Sequence, residues 1–109
     1  MAVTSPAVIE AMRRISALLQ QGSFRDAHGR LEAIVAEHPD FAEAKRLLAG
    51  TRLALGEAAR AETLLREALV NDPVWTPTLA TLGELLLNSG RAGEAEPLLR
   101  RAAIGTPPF

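Results

Sequence analysis

The 109-residue chain has no cysteine. That excludes disulfides, thiolate catalysis and cysteine-ligated metal, and it fits a reducing compartment, so a cytoplasmic location is the expectation. Charge of one sign is also lacking. The formal net charge is −1, so no broad attraction to nucleic acid or to an anionic membrane is expected. The longest apolar stretch, around "ELLLN", is far short of the roughly 20 residues that cross a bilayer. The N-terminal "MAVTSPAVIEAMRR" lacks the basic start and long apolar run of a signal peptide. Aromatics make up 4% of the chain, β-branched residues are sparse, and Lys45 is the only lysine. Alanine and leucine are abundant, and both are strong helix formers. The length suits one domain with a modest core.

Chemistry-bearing constellations are absent too. His28 and His38 have no histidine or cysteine partner at metal spacing and read as lone surface side chains. Glu57, Glu62 and Glu67 are interleaved with Arg60 and Arg66, the pattern of a solvated helix face with i,i+4 pairs rather than of a paired-carboxylate site. No glycine-rich phosphate loop is present. Ser5, Ser16, Ser23 and Ser89 stand in no nucleophile motif. Arg13-Arg14 and Arg100-Arg101 are too few for a nucleic-acid patch. The expectation is a segment with no catalytic residue, no metal and no cofactor.

Periodicity is what the chain has instead. "GSFRDAHGRLEAIVAEHP", "GEAARAETLLREALVNDP" and "GRAGEAEPLLRRAAIGTP" share one outline. Gly22, Gly56 and Gly90 are 34 residues apart, and so are Ala27, Ala61 and Ala95, then Leu31, Leu65 and Leu99, then Pro39, Pro73 and Pro107. A fixed period of this size means stacked supersecondary units. Each unit reads as two helices. Glycine stops the first helix in a left-handed turn, a small alanine lets the helices approach, and proline ends the second. The spacing predicts Ser5 and Pro6 opening the first unit, Asp40 with Glu43 forming a capping box for the second, and Thr76 with Pro77 opening the third. Pro97 should fall in or near the first turns of its helix, where the missing donor costs least. Phe41, Trp75 and Phe109 each follow a periodic proline by two, and Trp75 is expected to pack at the junction of units two and three.

This 34-residue helix–turn–helix resembles the tetratricopeptide repeat. The match is strongest in the second helices. Leu82-Gly83 is the family's Leu-Gly pair, Leu48-Ala49 is close to it, and Arg14-Ile15 departs from it. The first unit is therefore the most divergent. The resemblance implies an all-α solenoid of three stacked helix–turn–helix units in a short right-handed superhelix. It implies a lead-in and cap over 1–7, one domain over 8–107 with repeats 8–41, 42–75 and 76–109, and a tail or truncated linker over 105–109.

It also implies a concave groove, lined by the first helices, that binds another protein or a peptide. The groove face selects Ile9, Met12, Ser16, Leu19 and Gln20, then Glu43, Arg46, Gly50, Leu53 and Ala54, then Ala80, Glu84, Leu87 and Asn88. Leu19, Leu53 and Leu87 recur every 34 residues and line either the groove or the core. Positions where some family members grip a C-terminal carboxylate hold Met12, Ser16, Leu47, Pro77 and Thr81, so that clamp is absent and an apolar or amphipathic segment is the expected ligand. The last helix offers Leu98, Leu99, Ala102, Ala103 and Ile104, too many apolar residues to turn inward together. With Phe109 they are expected to form a surface covered by a second copy, giving a homo-oligomer, or by a following segment in a longer protein. Two function classes follow: a free-standing adaptor, and the N-terminal module of a larger bacterial enzyme of sulfotransferase, glycosyltransferase or 2-oxoglutarate-dependent hydroxylase type.

Overall fold

A computed structural model describes residues 5–73 and 75–105. These form six helices: α1 (Pro6–Gln20), α2 (Phe24–Glu37), α3 (Ala42–Ala54), α4 (Ala58–Asn71), α5 (Thr76–Asn88) and α6 (Ala92–Gly105). Ser5 caps α1, its Oγ accepting from the Val8 N–H at 3.3 Å, with Pro6 as the first helical residue. Helix α1 thus begins two residues inside the segment assigned to the lead-in.

The three glycines close the first helices of their units in the same way. Gly22, Gly56 and Gly90 have φ of 77°, 82° and 77°, the left-handed region that an L side chain enters only at a cost. Each turn carries the same two backbone bonds. Ser23, Glu57 and Arg91 donate to the carbonyls of Leu18, Arg52 and Leu86 at 2.8–2.9 Å. Gly22, Gly56 and Gly90 donate to Leu19, Leu53 and Leu87 at 3.0–3.1 Å. These are the two closures of a Schellman motif, repeated three times. The links between units also match, with Phe41 and Trp75 donating back to the His38 and Asp72 carbonyls.

Two expected caps differ. Phe41 and Trp75, not Asp40 and Thr76, are the N-caps of α3 and α5. The Asp40 carboxylate instead accepts from Asn71 Nδ2 at 3.3 Å, and Asn71 in turn accepts from Lys45 Nζ at 2.9 Å. The capping-box oxygen is taken by a bond that ties α3 and α4 together at one end. Pro97 is the sixth residue of α6, in its second turn.

The core falls into two clusters. The N-terminal one holds Ile15, Ala27, Leu31, Ala44 and Leu48, and the C-terminal one Ala49, Ala61, Leu65, Leu82, Leu85, Leu86 and Ala95. Leu64 packs on both and makes the interior continuous. The periodic alanines are fully buried, as close helix approach requires. Helix α3 is central, packing on α2, α4 and α5. The result is an all-α solenoid of three helix pairs. No helix among the described residues is long and apolar enough to cross a membrane.

Candidate functional site

Repetition places α3 and α5 side by side with the same face outward. Between the C-terminal halves of these two helices lies a cleft of about 430 Å³. Leu53 comes from α3, Ala58 from the first turn of α4, and Thr81, Glu84, Leu85, Asn88 and Ser89 from α5 and its C-cap. Leu53 and Leu85 belong to the C-terminal cluster and give the cleft an apolar floor. The two hydroxyls are turned to their own helix: Thr81 Oγ1 donates to Pro77 O at 2.7 Å, and Ser89 Oγ to Leu85 O at 2.8 Å. Glu84 and Asn88 are exposed.

The structure brings together three of the expected groove residues here, Leu53, Glu84 and Asn88. Ala58 and Ser89 were missed because they enter from the turns, where the Gly56 and Gly90 reversals bring them beside the ends of α3 and α5. Arg46 lies further along α3, its guanidinium carbon 5.3 Å from the centroid of the Trp75 ring, a cation–π stack. Trp75 is half-buried by it at the junction of units two and three. On α1, Ile9 and Ser16 are exposed, while Met12 and Leu19 pack on the N-terminal cluster. The leucine column therefore splits. Leu19 and Leu53 are half-buried against the core, and Leu87 is 50% exposed.

The expected α6 surface also divides. Ala102 is buried, and Leu99 packs on the C-terminal cluster beside Gly83. Because α5 offers no side chain at Gly83, the half-buried Leu99 fills that space. Leu98 is half-buried, Ala103 is exposed, and Phe109 lies outside the described residues. Ile104 on α6 is 76% exposed, as is Val70 on α4 at 80%. The histidines are a further correction. Both side chains are largely buried, His28 within α2 with Nδ1 3.4 Å from Glu32 and His38 at the C-cap of α2. Among the described residues no group of three or more His, Asp or Glu side chains could hold a metal.

Arginines near the turns carry ion pairs within and between units. Arg52 bridges Glu32 at 3.1 Å and Glu57 at 2.9 Å. Arg91 joins Glu62 and Glu94, each at 2.7 Å. The Arg91 guanidinium, hydrogen-bonded to both carboxylates, holds each below the ordinary carboxylate range, and its own pKa is raised in return.

The family profile described as tetratricopeptide repeat matches residues 12–74. The chain belongs to the tetratricopeptide repeat (TPR) family. No curated protein sequence matches it significantly. Among solved structures, the TPR chain is similar to the type III secretion translocator chaperone SycD of Yersinia enterocolitica, with 23% identity and a TM-score of 0.86, over 96% of this chain and 79% of that one. The same chaperone in complex with a peptide of the translocator YopD superposes equally well, at 21% identity over 99% and 82% of the chains. The second TPR of Spaghetti (RPAP3), bound to the HSP90 peptide SRMEEVD, gives a TM-score of 0.82 at 17% identity over 90% and 91%. These likenesses establish a shared fold.

Proposed function

We propose that this TPR chain is a protein-interaction module that holds an apolar or amphipathic peptide segment along the face of its first helices. The observation that carries the reading is the α3/α5 cleft, with Leu53 and Leu85 as its floor. Buried apolar side chains of a ligand contribute about 1.5–3 kcal/mol each on such a surface. Two structural neighbours, SycD and RPAP3, are seen with peptides bound, which supports a peptide as the class of ligand. The HSP90 peptide ends in acidic residues, and Met12, Ser16, Leu47, Pro77 and Thr81 supply no cation to receive such an end.

The test is selection of a random displayed peptide library on the folded chain, followed by titration of enriched peptides against wild type and Leu53→Glu. The reading expects enrichment and at least a tenfold loss on substitution, that is, one apolar anchor. No enrichment, or equal affinity for a Leu53→Glu variant of unchanged helicity, removes it.

A second occupied face is favoured by the exposed Val70 and Ile104. Leu69, Val70, Pro73 and half-buried Leu98 line a cleft between α4 and α6 that Arg66 and Arg101 border, and a second copy of the chain would cover it. Sedimentation over a concentration series should show reversible association that Val70→Glu abolishes; a strict monomer removes this reading.

A further inference from the structure

The α3/α5 cleft contains a single ionisable side chain, Glu84. The carboxylates at the neighbouring start of α4 are committed to cations: Glu57 pairs with Arg52, and Glu62 with Arg66 and Arg91. Glu84 has no cationic partner among the described residues, and none of the twelve ion pairs includes it. The Thr81 and Ser89 hydroxyl hydrogens are already given to their own helix. An ionised carboxylate only accepts hydrogen bonds, so a segment entering this cleft meets an acceptor with its charge uncompensated.

The 34-residue register supplies the contrast. At the step between α1 and α3, the positions equivalent to Leu53, Thr81, Glu84 and Asn88 are Leu19, Leu47, Gly50 and Ala54. Those four positions carry no charge, and a Cβ at Gly50 would meet no atom within 4 Å. At these equivalent positions the face of the first helices is thus apolar at one step and acidic at the next.

Resting on the peptide-binding reading above, we infer that the ligand is a segment pairing an apolar anchor with a lysine or arginine a residue or two away. The anchor lies on Leu53 and Leu85, and the cation meets Glu84. The last turn of α5, the negative end of its helix dipole, reinforces that sign. The first turn of α4 opposes it, but Glu57 stands at that helix end. Acidic and purely apolar segments are disfavoured, because they leave Glu84 partly desolvated without compensation.

The same displayed library tests this separately from the groove itself. Peptides enriched on wild type should carry Lys or Arg next to an apolar residue, and replacing that cation by Gln should weaken binding about three- to tenfold, as for a charge-assisted hydrogen bond at a partly exposed site. Glu84→Gln should give the same loss, and the two changes together no further loss, because they remove one interaction. Glu84 is exposed, so the substitution leaves the fold intact. Peptides that depend on Leu53 yet show no basic preference, or that bind Glu84→Gln unchanged, overturn the inference while keeping the groove. Binding that also ignores Leu53→Glu overturns both.

Discussion

Helices α1 and α5 occupy the same place in their repeats and are packed very differently. Helix α5 buries Thr78, Leu79, Leu82, Gly83, Leu85 and Leu86, whereas α1 buries only Ile15. Position by position, Glu10 stands where Thr78 does, Ala11 where Leu79 does, Arg14 where Leu82 does and Ile15 where Gly83 does. Helix α5 lies between α4 and α6, while α1 packs on α2. The face that α5 seals against the preceding unit is open on α1, and there Glu10 pairs with Arg13 and Arg14. The template sets the backbone of a repeat, and the neighbours set which of its positions become core. Stability should accordingly be concentrated in units two and three.

The strongest way to break that comparison is to substitute the same register position in both helices. Leu82→Ala removes a fully buried side chain and should cost about 2–5 kcal/mol in urea unfolding. Arg14→Ala, on an exposed surface, should change stability by less than about 0.5 kcal/mol. Comparable costs at the two positions would show that the first unit is as tightly packed as the third.

Gly83 sharpens the same contrast. A methyl group there would lie 2.6 and 2.7 Å from Cδ2 and Cγ of Leu99, so Leu99 or the helix must move. Gly83→Ala should destabilise by about 1–3 kcal/mol from overpacking, partly offset by up to about 1 kcal/mol of helix propensity. In the Leu99→Ala background the penalty should disappear, because the space is free. An equal penalty in both backgrounds would mean that the close α5–α6 approach does not depend on this pair.

Gly56 tests the turns, where packing plays no part. A side chain there meets nothing within 4 Å, but φ is 82°, so Gly56→Ala should cost about 1 kcal/mol from backbone strain alone. The same change at Gly22 meets equally open space at φ 77°. Hydrogen exchange should show its effect confined to α1 and α2, with the amides of α5 unaffected. Loss of protection across all six helices would show one indivisible cooperative unit.

These positions also mark what could be read from sequence. The Gly, Ala, Leu and Pro columns announced the solenoid because each answers a backbone or close-approach demand that recurs with the period. The caps were misread because Asp40 could bond locally or across to Asn71, and nothing local decides between them. Leu53, Glu84 and Asn88 were legible as one face of adjacent first helices. The different burial of Leu19, Leu53 and Leu87 was not, since one residue type in one register takes its exposure from the next unit. Leu99 poses the same difficulty: where its side chain packs depends on Gly83, 16 residues away in sequence.

The smallest expected effect lies on the outer helices, where the second and third units are joined by charge. Arg91 donates from Nη1 to Glu62 on α4 and from Nε and Nη2 to both oxygens of Glu94 on α6. Arg66 lies 3.0 Å from Glu62 and 3.5 Å from Glu94. Both carboxylates are held below their ordinary range, chiefly by the hydrogen bonds from Arg91. A carboxylate whose pKa is lower folded than unfolded contributes stability that is fully present above its unfolded value, roughly 4.3 for Glu, and lost as the pH falls through the folded value. Arg91→Gln should therefore lower Tm slightly at pH 7, as expected for partly exposed pairs. The gap from wild type should hold down to about pH 5, near the unfolded value, and shrink in acid as the pH falls through the lowered folded values. High salt should narrow it at neutral pH by screening. A gap that persists unchanged at pH 3 would assign the effect to the packing of the arginine stem. In that case the charge would not be what couples the third unit to the second.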